Sequence, residues 1–237
     1  MGWKSLWPTL ALLGLTNVAA AEVCQAKFFH NGGEIEIVGS GLIQVSAKLS
    51  FSQVQKPAAK RCQALIKGYA KYALLGLLSG ETDVDHVMRV EGDKTSLTQP
   101  GEVKKAGDPD IDVQMLSLFG YGAPISAAGQ RFAPQSFRLA IGDPRRGPTT
   151  PLTVRMGEKT VGEQQRIETA AGQQACWPVR YSRGTDPTLV QLRGAMIPIP
   201  PIQSQVTDWF CPSLNLVMKQ EIMQSGQRSV IEVKSIR

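Results

Sequence analysis

Three stretches near the end of the chain decide its fold: SQVTDWFC at 204–211, LVMKQEIM at 216–223 and SVIEVKSI at 229–236. Each is short, rich in β-branched and apolar residues, and bounded by a turn former, Pro212 after the first and Gly226 after the second. That combination reads as consecutive strands joined by tight turns, an antiparallel meander. Upstream the same grammar recurs, with candidate strands at 135–141, 152–156, 160–169, 174–182 and 189–196. Gly157, Gly172, Gly184 and Pro187 punctuate them. The segment 197–201 holds Pro198, Pro200 and Pro201, which cannot donate to a central ladder, so it is expected at a rim or edge.

The first half is β-rich by a different signal. EIEIV at 34–38 precedes Gly39 and Gly41, and Ile43, Val45, Ala47, Leu49 and Phe51 then alternate with polar residues, the pattern of a half-buried strand. Residues 62–78 fit two periods. Cys62, Leu65, Ile66, Tyr69 and Ala73 make a helical face, whereas Cys62, Ala64, Ile66 and Gly68 alternate as in a strand. Gly68 and Gly76 lower helix propensity, which tips the reading to strand. Residues 84–97 read as a strand with a turn at Gly92-Asp93, and 98–109 and 142–151 as exposed loops. Between these loops, 115–121 suits an edge element or flap. The expected fold is mainly β: a curved half-barrel or open barrel at 126–237 with a smaller β-rich part at 22–125.

Residues 1–21 carry Lys4, an apolar run at 6–15 and the small residues Ala19, Ala20 and Ala21, the three-part layout of a secretory signal peptide cleaved after Ala21. The run is about half the roughly 20 residues that span a bilayer, and no later stretch is long and apolar enough to cross one. Ala21-Glu22-Val23 before Cys24 lacks the small residue that a lipoprotein signal places next to its Cys. The predicted location is the periplasm or the exterior.

Cys24, Cys62, Cys176 and Cys211 all follow the cleavage point, and an even number in an exported chain reads as disulfides. Of three pairings, Cys24 with Cys62 and Cys176 with Cys211 is favoured, because each closed loop stays within one half of the chain. No C-x-x-C or Cys/His cluster exists for redox or zinc chemistry. The 237 residues carry a formal charge of +6 without a long basic block, which argues against a dedicated nucleic-acid binder.

Three phrases then carry a resemblance: Val161-Gly162 with Ile167-Glu168-Thr169; Ala171-Gly172 leading to Cys176 and Val179-Arg180-Tyr181; and Thr207-Asp208-Trp209-Phe210-Cys211-Pro212 followed by Leu216-Val217-Met218-Lys219. In order, over residues 130–237, they resemble a bacterial cell-envelope domain whose half-barrel groups with the lipoprotein carriers LolA and LolB. The resemblance implies a strongly curved antiparallel sheet with an apolar concave face able to hold an acyl chain or hydrophobic peptide, and it implies no catalytic residue. Period 2 places Trp177, Val179 and Tyr181 on one face of a strand, with Trp209 expected to join them.

No constellation for catalysis emerges. His30 and His86 are the two histidines, and neither lies in a nucleophile turn. Asp83 and Asp85 beside His86 read as a solvated turn. Asp108, Asp110 and Asp112 alternate, but they lack the central Gly and terminal Glu of a calcium loop. The expectation is a non-catalytic envelope protein without metal or cofactor, binding a hydrophobic ligand or a protein through its sheet. A strand-edge assembly factor and a hydrolase on an unfamiliar scaffold are the alternatives.

Overall fold

A computed structural model describes residues 23–58, 60–74, 78–92, 94–98, 100, 121, 124–141, 150–192 and 195–237. The segment 1–21, the acidic phrase 108–112 and the flap apart from Tyr121 lie outside them. The strands are β1 (Glu34–Ser40), β2 (Ile43–Ala58), β3 (Arg61–Leu74), β4 (Leu78–Glu91), β5 (Lys94–Thr98), β6 (Arg131–Phe132), β7 (Gln135–Ile141) and β8 (Thr150–Met156). They continue with β9 (Lys159–Val161), β10 (Gln165–Thr169), β11 (Gly172–Thr185), β12 (Thr188–Leu192), β13 (Ala195–Ile199), β14 (Gln203–Cys211), β15 (Leu216–Gln224) and β16 (Gln227–Ile236). The expected mainly antiparallel β architecture is what forms, as a large open sheet that does not close into a barrel.

Its order is β5-β4-β3-β2-β1-β16-β15-β14-β11-β8-β7, with β9 and β10 also on β11, and β6 on β9. The first and last strands pair, Ile35 with Ile236 and Ser40 with Val230, so one sheet runs through both segments of the chain. Hairpin logic cannot anticipate this join, because its partners are far apart in sequence.

The ambiguous segment is strand β3. Cys62, Ala64 and Ile66 are buried while Lys67 and Lys71 are exposed, the period of two. Gly68 has a packing cause: a Cβ there would lie 1.9 Å from the Lys48 carbonyl oxygen on β2. The buried face of β1–β4, with Ile35, Leu49, Phe51, Ile66 and Met88, is covered by the short 3-10 turn Val23–Gln25 and by Phe28 and Phe29. The Phe28 and Phe51 rings sit 4.9 Å apart, and the Cys24–Cys62 disulfide fixes the cover to β3. Across the opposite face run Lys48–Glu34, Lys67–Asp85 and Lys71–Glu81 pairs at 3.6, 3.9 and 3.1 Å. Exposed pairs of this kind add little stability, but they mark that face as the solvated one.

The second half departs from the sequence reading in two places. The strand expected at 160–169 is two strands, β9 and β10. Across from the break stands Pro178, which accepts from the Gly162 N–H at 2.7 Å but has no N–H to return, so the ladder stops. The strand expected at 189–196 is the start of a hairpin, β12–β13, with Leu192 paired to Ala195. This hairpin forms its own two-stranded sheet, so β11 pairs with β14 rather than with the next strand in sequence. A two-stranded ribbon tolerates Pro198, since no third strand needs its N–H.

Candidate functional site

Trp177, Val179 and Tyr181 do share a face of β11, opposite Phe210, Asp208 and Val206 of β14. Gln220 and Ile222 of β15 continue this face, opposite Asp208 and Val206, and Val161 of β9 lies opposite Val179. The face is filled by the protein's own side chains. Tyr121, Ile125 and Phe132 pack over Val161, Val179, Phe210 and Val217, with Trp177 at the margin. Phe137, Val154 and Met156 pack on Tyr181, Val206 and Ile222. Val179 is 0% exposed, so it lines no open groove in this structure.

Trp209 does not join that set. It pairs with Pro178, one residue out of phase with Val179, and therefore projects from the opposite face. There it packs against the core that includes the Cys176–Cys211 disulfide. Both disulfides have the expected partners, and the described cysteines are all bridged. A bridged Cys24 has no thiol for lipid attachment. His86 lies on the core face of β4 opposite Ile66, whereas Asp85 faces Lys67 on the solvated side. Neighbouring residues of one strand point apart, so Asp85 does not bear on the His86 ring.

A buried polar cluster occupies the centre of the filled face. Asp208 is 0% exposed and accepts hydrogen bonds from the Tyr121 hydroxyl at 2.5 Å and from Gln220 Nε2 at 2.7 Å. Lys159 is 3% exposed, its Nζ 4.9 Å from the Tyr121 ring centroid and 4.8 Å from that of Tyr181. Gln220 Nε2 also lies 3.5 Å from the Tyr181 hydroxyl. An unpaired buried charge is costly. Here the carboxylate has charge-assisted donors and the ammonium has two ring faces, with Tyr121 touching both. Chemically the arrangement works as a latch: it fastens Tyr121 to the sheet. Sequence reading missed Lys159, Asp208, Gln220 and Tyr121 as a set. The available signal was phase, since Asp208 falls in step with Val206 and Phe210, and Lys159 with Val161.

Among the described residues five large apolar side chains are exposed; Tyr69 of β3 and Met223 of β15 stand singly, and the other three lie on the β12–β13 hairpin. Leu189 is 53%, Met196 57% and Ile197 42% exposed. Leu189 pairs with Pro198 and Gln191 with Met196, while Ile197 pairs with Val190, so exposed apolar residues occur on both faces of the ribbon. At its base Arg155 donates to both carboxylate oxygens of Asp186 at 2.8 Å. That hydrogen bonding, opposed slightly by desolvation and aided by the Arg155 charge, holds the Asp186 carboxyl below the usual range.

No protein-family model matches the chain, and no curated protein matches it in sequence. Solved structures do. A protein inferred to be exported, with a YmcC-like fold, from Bacteroides fragilis is 13% identical with a TM-score of 0.52, covering 90% of this chain and 99% of its own. A protein inferred to be a lipoprotein from Parabacteroides distasonis is 12% identical with a TM-score of 0.51 and the same coverage. The hypothetical lipoprotein YmcC from Escherichia coli is 9% identical, with a TM-score of 0.37 over 86% of this chain and 83% of its own. The first two likenesses extend well beyond the C-terminal phrases, and they show that the chain shares its fold with the YmcC-like structure from Bacteroides fragilis.

Proposed function

We propose that the protein is an exported, non-catalytic cell-envelope protein of the periplasm that works by binding, and that the β12–β13 hairpin is its binding surface. Export is supported by the layout of residues 1–21 and by two disulfides, which persist in oxidising compartments. The fold neighbours described as exported or as lipoproteins agree with that location. A non-catalytic role is supported by the burial of the Lys159, Asp208 and Tyr121 cluster, which keeps these groups from a substrate. The observation that carries the binding reading is the exposure of Leu189, Met196 and Ile197 on a hairpin outside the main sheet. Large apolar side chains that share one exposed hairpin mark an interaction site more often than ones scattered singly.

The test is fractionation of cells that export the protein with Leu189→Ser and Met196→Ser together. These side chains are exposed, so the unfolding midpoint should move by no more than about 0.5 kcal/mol equivalent. The expected result is that the parent sediments with the envelope and the variant moves to the soluble fraction. Equal distribution of the two would refute the hairpin as the binding surface. Strand addition is the second reading, favoured by the sheet's ending at β5 and β7 among the described residues. It predicts that proline substitutions along β5, and not those on the hairpin, release the protein.

A further inference from the structure

Resting on that reading of the hairpin, we infer that its partner is an anionic phospholipid surface, into which the ribbon inserts shallowly. A protein-docking strand pair usually offers one apolar face and keeps the other polar. This ribbon exposes Leu189 and Met196 on one face and Ile197 on the other, which suits a medium that surrounds it. Charge points the same way. From Pro187 to Thr207 the sequence contains one charged residue, Arg193, in the connection between β12 and β13, and no acidic residue. The acid just before this stretch, Asp186, is neutralised by its paired hydrogen bonds to Arg155. The whole chain carries +6, and +5 once residues 1–21 with Lys4 are removed, so the approach to an anionic surface is favourable.

Geometry limits the depth. Five-residue strands extend roughly 17 Å, well short of a hydrocarbon core of about 30 Å. A two-stranded ribbon also leaves backbone groups along its outer edges that must keep water or headgroup partners. Pro198 removes one such donor from β13. The hairpin therefore belongs at the headgroup and acyl boundary, where apolar contact and charge attraction act together.

The experiment is sedimentation of the exported, disulfide-bonded protein with vesicles of phosphatidylglycerol and phosphatidylcholine, and with phosphatidylcholine alone. Binding to the anionic vesicles, weakened by salt, is expected. Arg193→Gln should reduce it by about fivefold, and Leu189→Ser with Met196→Ser by roughly tenfold or more. Both variants should keep the parent's circular dichroism spectrum. Absence of binding to anionic vesicles, or equal binding by the Leu189 and Met196 variant, overturns the inference. If vesicles fail but the variant still leaves the envelope fraction in cells, the hairpin reading stands and its occupant is an envelope protein. If neither changes, both readings fall.

Discussion

Replacing Tyr121 with Phe removes one oxygen from the buried polar cluster and tests the latch. The hydroxyl lies 2.5 Å from an Asp208 oxygen that water does not reach. The ring remains, and with it the packing on Phe132 and Phe210 at 5.4 and 5.8 Å and the ring face presented to Lys159. What is lost is a donor to a buried carboxylate, worth about 1.5–3 kcal/mol. For a chain of this size about 2–4 °C of Tm accompanies each kcal/mol, so Tyr121→Phe should lower Tm by roughly 3–12 °C. Tyr121→Leu should cost more, because the ring contacts go as well. Thermal unfolding followed by near-ultraviolet circular dichroism, with disulfides intact, gives both values. A drop below about 1 °C for Tyr121→Phe, alongside a large one for Tyr121→Leu, would show that the ring alone holds Tyr121 in place, and would refute the latch.

Gly68→Ala drives a methyl group into the Lys48 carbonyl, and denaturant titration should show a loss of at least about 3 kcal/mol. Removing the Cys176–Cys211 bridge, which joins residues 35 apart, with Cys176→Ala and Cys211→Ala should cost about 3–4 kcal/mol in the same assay. For Glu221, burial pushes the carboxyl up, but hydrogen bonds from Lys219 and Arg228 and their charges outweigh it and hold it below the usual range. A lowered folded-state value contributes stability that is complete above the unfolded pKa and lost as pH falls through the folded one. Between about pH 5 and pH 3 the parent should therefore lose stability that Glu221→Gln does not, by less than about 1 kcal/mol at this partly solvated pair.

Local pattern made much of the fold legible. β7 (135–141) matches its expected bounds, and β14 to β16 fall within a residue or two of theirs. Both periods fit the β3 segment, and the low helix propensity of Gly68 and Gly76 selects the strand that forms; both disulfides join the partners whose loops stay within one half of the chain. What could not be read was non-local. Nothing near Glu34 announces that Arg237 will exchange two backbone hydrogen bonds with it. Nor does period 2 say which of Trp209 and Phe210 faces the core shared with Val179; both are large and apolar, and only pairing with Pro178 and Trp177 separates them. The buried cluster was hidden for a related reason. Asp208 and Lys159 look like surface residues until the register puts them among Val161, Val206 and Phe210, in a cluster whose members come from four separate strands and a loop.

Native mass spectrometry of the protein purified from an oxidising compartment, followed by organic extraction, tests the central claim most directly. That claim is that the sheet face is filled from within and that binding occurs on the β12–β13 hairpin. The predicted result is a chain four hydrogen masses lighter than its reduced form, as two bridges require, with no lipid retained in stoichiometric amount. A single acyl species held one to one, and released only when the packing of Tyr121, Ile125 and Phe132 is loosened, would contradict it and return Val179 and Tyr181 to the role of groove residues.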